Sequence, residues 1–202
     1  MNILAIESSS DICSAALFVG NKLVDIMETD VPRSHSRQLP IYLNKLIHIT
    51  NNEIDAIALS IGPGSFTGLR IGTSLAKGIA NARGAAIIPV PTIRTIKYQL
   101  QEHGNHCICL YSYGSYLFKQ DYVDSTEVGN PEFVKFDQLD SDSVYYGSGL
   151  SNFDWSGKNY IDKKLSSRWV GELAIKNFDH WRISDLNLIK PNYITNFNFS
   201  KK

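Results

Sequence analysis

The apolar run IDAIALSI at residues 54–61 passes straight into Gly62-Pro63-Gly64-Ser65, and helical periodicity starts immediately behind it and closes at Gly84. A buried strand that becomes a helix across a glycine-rich junction is a βα unit, and such units build sheets with helices on their faces. The flanking segments agree. Residues 2–7 (NILAIE), 13–19 (CSAALFV) and 22–29 read as three strands, the last two joined by the hairpin pair Gly20-Asn21. Residues 36–49 follow as a helix, with Leu39, Leu43, Leu46 and Ile47 spaced by three and four. Pro40 is placed in its first turn, where a missing N–H costs little. Residues 85–90 form a further short strand, and Thr92 caps a helix that runs to residue 101.

The order β-β-β-α-β-α-β-α predicts an α/β fold on the ribonuclease-H-like plan, a mixed sheet with helices on its faces. A polar stretch at residues 99–106 marks a junction between an N-terminal lobe, 1–98, and a C-terminal lobe, 99–202. The second lobe is less regular. Residues 107–112 and 116–123 pair around Gly114, residues 143–146 form a short strand, and 165–178 have helical spacing through Leu165, Trp169, Leu173 and Ala174. The polar tail at 196–202 is expected to fray. With 43% hydrophobic and 20% charged residues, the composition is that of an ordinary globular protein. Net charge is zero, and no basic stripe of the kind that grips phosphates is visible along the sequence. No apolar run approaches the ~18 residues of a membrane span, and the N-terminus reads as a strand rather than a signal peptide. Cys13, Cys107 and Cys109 cannot all pair within the chain, which suits a reducing cytoplasm.

The glycine-rich junction admits two physical readings. Exposed N–H groups at a helix start can bind phosphate. Yet neither a Walker frame nor a G-x-G-x-x-G fingerprint is present, and a tight turn with Ser65 as N-cap explains the same residues. Within the helix, Gly68, Gly72 and Ala76 form a smooth stripe. Each interior glycine costs about 1 kcal/mol relative to alanine, so close approach of another backbone is expected there. Phe66, Leu69, Ile71, Leu75 and Ile79 make the helix apolar most of the way round, so it is buried on two sides. One side faces the sheet; the other faces the preceding helix or a partner protein.

Over these eleven residues GPGSFTGLRIG resembles the hallmark segment of the TsaB (YeaZ) family. The turn Ile6-Glu7-Ser8-Ser9-Ser10, the helix entry RSHSRQL at residues 33–39, Asp55-Ala56-Ile57-Ala58 and Pro89-Val90-Pro91-Thr92 resemble further family segments. Fainter echoes follow at Tyr146-Gly147-Ser148-Gly149 and Lys190-Pro191-Asn192-Tyr193. The resemblance implies a two-lobed, actin-like ATPase fold with a reduced second lobe. It also implies a non-catalytic scaffold working with a TsaD homologue and a TsaE-type ATPase to place threonylcarbamoyl on adenosine 37 of tRNA. Such a chain reaches tRNA only indirectly and forms a homodimer when isolated. The implied partner surface comprises Phe66, Gly68, Leu69, Gly72, Leu75, Ala76 and Ile79 on the second helix, with Leu39, Leu43 and Leu46 on the first. Glu7, Ser8, Ser9 and Ser10 form the candidate nucleotide-proximal turn. No catalytic residue, metal ligand or tightly held cofactor is implied for this chain alone; ATP or ADP and Mg²⁺ belong to the complex. Three features depart from the family: Glu7 stands where Asp is usual, Leu110-Tyr111-Ser112-Tyr113 replaces an acidic-basic start, and Tyr193-Ile194-Thr195 replaces Tyr-Leu-Arg.

Other readings compete: an independent actin-like ATPase, a peptidase, or a homodimeric paralogue outside the tRNA pathway. A zinc peptidase needs two histidines a helical turn apart, and position 39 beyond His35 is a leucine. His103, His106, Cys107 and Cys109 lie close together, but Cys107 and Cys109 share one strand face, as core cysteines do. The aromatics Tyr111, Tyr113, Tyr116, Phe118 and Tyr122 fit a half-exposed sheet face better than a base-stacking platform.

Overall fold

The computed structural model describes residues 1–51, 53–100 and 104–194. The expected frayed tail and His103 lie outside them. The first half folds as β1 (Asn2–Glu7), β2 (Ile12–Val19), β3 (Lys22–Asp30), α1 (His35–Ile49), β4 (Ala56–Gly62), α2 (Phe66–Arg83), β5 (Ala86–Pro91) and α3 (Thr92–Gln99). Its sheet has the order β3-β2-β1-β4-β5, with an antiparallel meander on one side and parallel β1, β4 and β5 on the other. Residues along β1, β2 and β4 are buried on both faces, so these strands read as continuous apolar runs. The edge strand β3 alternates in exposure and carries Lys22, Asp25, Glu28 and Asp30, which discourages pairing with another sheet.

The second half repeats the plan with its own sheet. β6 (Asn105–Tyr113), β7 (Tyr116–Val123), β8 (Thr126–Lys135), β9 (Val144–Ser148) and β10 (Asn159–Asp162) take the order β10-β9-β6-β7-β8, again a meander joined to a parallel pair. The reduction lies in the connections. Where the first lobe has α1 and α2, the second has single 3₁₀ turns, Phe136–Gln138 and Leu150–Asn152. Stacked rings fill the space instead: Phe136 lies flat on Phe153 at 4.6 Å, and Trp155 meets Phe136 edge-on at 4.9 Å. The Trp155 indole N–H donates to the Leu150 carbonyl at 2.6 Å, so its polar handle is satisfied.

The boundary expected at residue 98 separates the strands of the two lobes but not their cores. α3 packs Ile93 and Ile96 onto Ile108, Leu110 and Phe118 of the second sheet. α4 (Ser167–Lys176), late in the sequence, returns to the first sheet and sets Val170, Leu173 and Ala174 against Ile3, Ala5, Phe18 and Val90. The opposite face of that sheet is covered by α1 and α2 through Leu39, Leu43, Leu46 and Ala76. Other expectations shift by a residue or a turn. Pro40 is the sixth residue of α1, in its second turn rather than the first. Thr92 is the first residue of α3 rather than its cap, and its hydroxyl accepts from the Gly62 N–H at 3.2 Å. The last helical stretch starts at Ser167 behind the N-cap Ser166, and α5 (Phe178–Trp181) follows it after Asn177. Among the described residues no helix is long and apolar enough to cross a membrane.

Candidate functional site

A cleft of ≈ 600 Å³ opens between the lobes. Its walls are the β1–β2 turn (Ser9, Ser10, Asp11), the β4–α2 turn (Gly64, Ser65), Phe66 and Thr67 at the start of α2, and Tyr111–Tyr113, Ser148, Gly149 and Lys163–Lys164 of the second lobe. The local sequence closes the first wall on itself. Glu7 is fully buried, and its Oε1 accepts from the Ser9 N–H at 2.6 Å and from the Ser9 hydroxyl at 2.5 Å. Burial pushes the Glu7 carboxyl above its ordinary pKa, and the Ser9 bonds oppose this only in part. The Ser65 N–H donates to the Ser9 carbonyl at 2.6 Å, while the Ser65 hydroxyl caps α2 by accepting from the Gly68 N–H at 3.2 Å.

The glycines of α2 complete this clamp. A Cβ at Gly68 would overlap the Ser8 carbonyl, one at Gly72 would overlap the Ser8 hydroxyl, and one at Gly64 would overlap the Ser9 carbonyl. The close approach expected from the glycine stripe is therefore that of the β1–β2 turn of the same chain. The actin-like resemblance read from the sequence implies a nucleotide and Mg²⁺ between the lobes, and the residues here do not fit them. The Ser9 and Ser65 amides are taken within the chain, Glu7 is fully buried and does not line the cleft, and Lys163 and Lys164 share the walls with Asp11, Asp30 and Asp162.

The expected partner surface needs a corresponding correction. Leu39, Leu43, Leu46, Leu69 and Ala76 are buried in the first lobe's own core, and Gly68 and Gly72 face Ser8. A Gly72→Leu substitution would disrupt the fold before any interface. Phe66, Leu75 and Ile79 are half-buried and remain at the surface. The structure adds positions that spacing alone did not single out. Ile41 and Ile49 of α1 are 46% and 48% exposed, and Gly78 of α2 is open, with nothing within 4 Å of an added Cβ. A further cluster ties the start of α2 to the end of the described chain. The Arg70 guanidinium lies 3.7 Å over the Phe66 ring and donates to the Tyr193 hydroxyl at 3.2 Å. Beside it the Asn192 N–H donates to the Ile61 carbonyl at 2.6 Å, and a Cβ at Gly62 would stand 2.9 Å from the Asn192 carbonyl.

Among the described residues, His35, His106 and the three cysteines are buried, and no group of three or more His, Cys, Asp or Glu is placed to hold a metal ion. His35 is buried with Nε2 3.2 Å from the Ile12 carbonyl. Cys107 and Cys109 are buried on one face of β6 with sulfurs 3.7 Å apart.

Residues 26–114 match the family model described as "TsaD: tRNA N6-adenosine threonylcarbamoyltransferase". The tRNA threonylcarbamoyladenosine biosynthesis protein TsaB of Haemophilus influenzae is 30% identical over 96 residues, 46% of this chain and 40% of that one. The protein of the same name from Buchnera aphidicola subsp. Schizaphis graminum aligns almost end to end, 26% identical over 94% of this chain and 88% of its own length. In sequence the chain is similar to proteins named TsaB. YeaZ from Pseudomonas aeruginosa superposes on this chain with a TM-score of 0.78 at 19% identity, covering 96% of this chain and all of that one, so the two share their fold through both halves. The match spans less than half the length of the Haemophilus influenzae relative.

Proposed function

We propose that this chain is a member of the TsaB family and a non-catalytic subunit in the formation of N6-threonylcarbamoyladenosine at position 37 of tRNA. It docks onto a TsaD homologue through the outer face of α1 and α2, in an assembly that includes a TsaE-type ATPase, and onto a second copy of itself when TsaD is absent. The observation that carries the docking surface is Gly78. A glycine inside a helix costs about 1 kcal/mol relative to alanine, and unlike Gly68 and Gly72 this one meets nothing in its own chain. It is flanked by Leu75 and Ile79 and lies on the helix that packs beside α1, whose Ile41 and Ile49 are exposed. A second protein's helix lying across this face would use both the missing side chain and the apolar flanks. The self-closed β1–β2 turn supports the non-catalytic role, with ATP or ADP and Mg²⁺ held by the partners. Cys13, Cys107 and Cys109, all free and buried, are compatible with work in the cytoplasm.

The test is Gly78→Arg beside Leu75→Glu/Ile79→Glu. Gly78→Arg adds atoms only to open space, so its thermal midpoint should hold or rise, with up to about 1 kcal/mol of helix stability gained. Leu75 and Ile79 also pack on the core, so the double variant is compared at a temperature where it remains folded. Co-purification with the TsaD homologue should weaken at least about tenfold, an interface core loss of roughly 1.4 kcal/mol or more. Unchanged capture of TsaD by both folded variants would reject this face as the interface.

A further inference from the structure

A basic, aromatic face is assembled by folding from segments far apart in sequence. α3 presents Arg94, Lys97 and Tyr98 on its outer side, and α4 presents Arg168, Trp169 and Lys176 beside them. The backbone of Lys164 lies against α3, its carbonyl accepting from the Gln99 side chain at 3.3 Å, although the residue also borders the cleft. α5 adds Phe178 and Trp181, followed at once by Arg182. Each ring carries a cation. Arg168 lies 4.9 Å from the Trp169 ring centre, Arg182 5.5 Å from Phe178, Lys176 5.8 Å from Tyr98 and Arg94 5.8 Å from Trp181. Tyr98 and Trp169 also meet edge to face at 6.4 Å.

The charge is uneven. The carboxylates on α4 and α5 are Glu172, paired to Arg168 at 2.9 Å, and Asp179, with Glu127 of β8 paired to Arg94 at 2.7 Å; Lys97, Lys176 and Arg182 add further positive charge. Since the whole chain has equal numbers of acids and bases, a basic surplus on these helices leaves the remainder acidic. This is why no basic stripe is visible along the sequence: the cations of residues 94–97 and 168–182 become neighbours only after α4 crosses back beside α3.

The geometry points to direct RNA binding on the α3–α4–α5 face, with phosphates on the cations and unpaired bases against the rings, as in a stem and its loop. Cations spaced along a surface follow a phosphodiester chain, and a base can stack on an exposed ring such as Tyr98, 37% exposed, once the flexible Lys176 beside it turns to a phosphate. An acyl surface would need a contiguous apolar prong, whereas here the rings are interleaved with cations. The choice of RNA rests on the tRNA pathway proposed above, whereas the face itself rests on the charges and rings. It revises the expectation of purely indirect contact with tRNA.

The test is fluorescence anisotropy of an end-labelled tRNA transcript titrated with the full chain alone, over about 50 to 200 mM salt. Binding should weaken linearly in log–log form with salt, and Trp169 and Trp181 emission should be quenched. Arg168→Glu/Lys176→Glu/Arg182→Glu should lose more than about tenfold in affinity and show a shallower salt slope. Lys22→Glu/Arg37→Glu/Lys45→Glu, with the same charge change on other elements, should lose much less. Tyr98→Leu should weaken tRNA but not heparin. Equal losses from the two triple variants, equal affinity for heparin and tRNA, or no binding by the unaltered chain at the lowest salt would each overturn the proposal. No partner is present in this measurement, so failure to capture TsaD would not affect it, and absence of RNA binding would leave the docking face standing.

Discussion

Glu7 shows how one residue can close a site from within. An aspartate, one methylene shorter, would not reach back to Ser9 in the same way, whereas the glutamate places Oε1 within hydrogen-bond distance of both the Ser9 amide and hydroxyl. Its raised pKa makes a prediction about pH. Below the carboxyl's unfolded pKa, near 4.3, both states are protonated and the group contributes nothing to pH dependence. As pH rises, the unfolded chain releases its proton first while the buried carboxyl keeps its own, so the folded state loses relative stability until the raised folded pKa is passed. Gln at this position keeps the oxygen that Ser9 needs and cannot titrate. The stability of Glu7→Gln relative to the parent should therefore climb in urea midpoints as pH rises above the unfolded carboxyl pKa of about 4.3; parallel curves would show that Glu7 ionises normally in the fold. The sequence disclosed that position 7 departs from the family residue, but the consequence lay in a bond to Ser9 that no spacing rule describes.

Helix α2 is a single element with two different glycine surfaces. Its inner stripe, Gly68 and Gly72, admits the Ser8 backbone and hydroxyl, while Gly78 looks outward. Periodicity revealed the stripe and its demand for a close neighbour, because missing side chains are visible in a sequence. It could not name the neighbour, because helical spacing describes one surface and says nothing of what faces it. The clamp can be tested by substitution. Gly68→Ala meets a backbone carbonyl that cannot turn aside, so a loss of about 1–3 kcal/mol should outweigh the alanine's helix propensity. Gly72→Ala meets the Ser8 hydroxyl, which is buried without a hydrogen-bond partner. In a Ser8→Ala background its cost should shrink by about 1 kcal/mol, a coupling read from chemical denaturation of the four chains of a double-mutant cycle. Additive effects would show that the two residues do not touch. Other elements were less legible. β8 is exposed along most of its length and contains Gly129 and Pro131, and β10 is four exposed residues, so neither carries the alternation that marks a strand. Both form because β7 and β9 offer them an edge.

At the scale of the whole molecule, the strands of the first lobe were legible almost residue by residue, and the helices were recognised as helices, but their destinations were not. Val170, Leu173 and Ala174 make an apolar face that any sheet would accept, and only the fold assigns it to the first lobe. The two crossings should make the lobes interdependent. A fragment of residues 1–98 would leave Ile3, Phe18 and Val90 without α4, and Ile93 and Ile96 without a sheet. It should give a collapsed amide spectrum by NMR, while the full chain unfolds in one transition seen alike by tryptophan emission and far-ultraviolet dichroism. A well-dispersed spectrum from the fragment would refute that interdependence. The return of α4 also matters on the ribosome. At bacterial rates, on the order of 10 seconds pass between synthesis of Val90 and of Leu173. Through that interval the nascent sheet presents a bare apolar flank, a natural landing place for a chaperone that must leave before the late helix arrives.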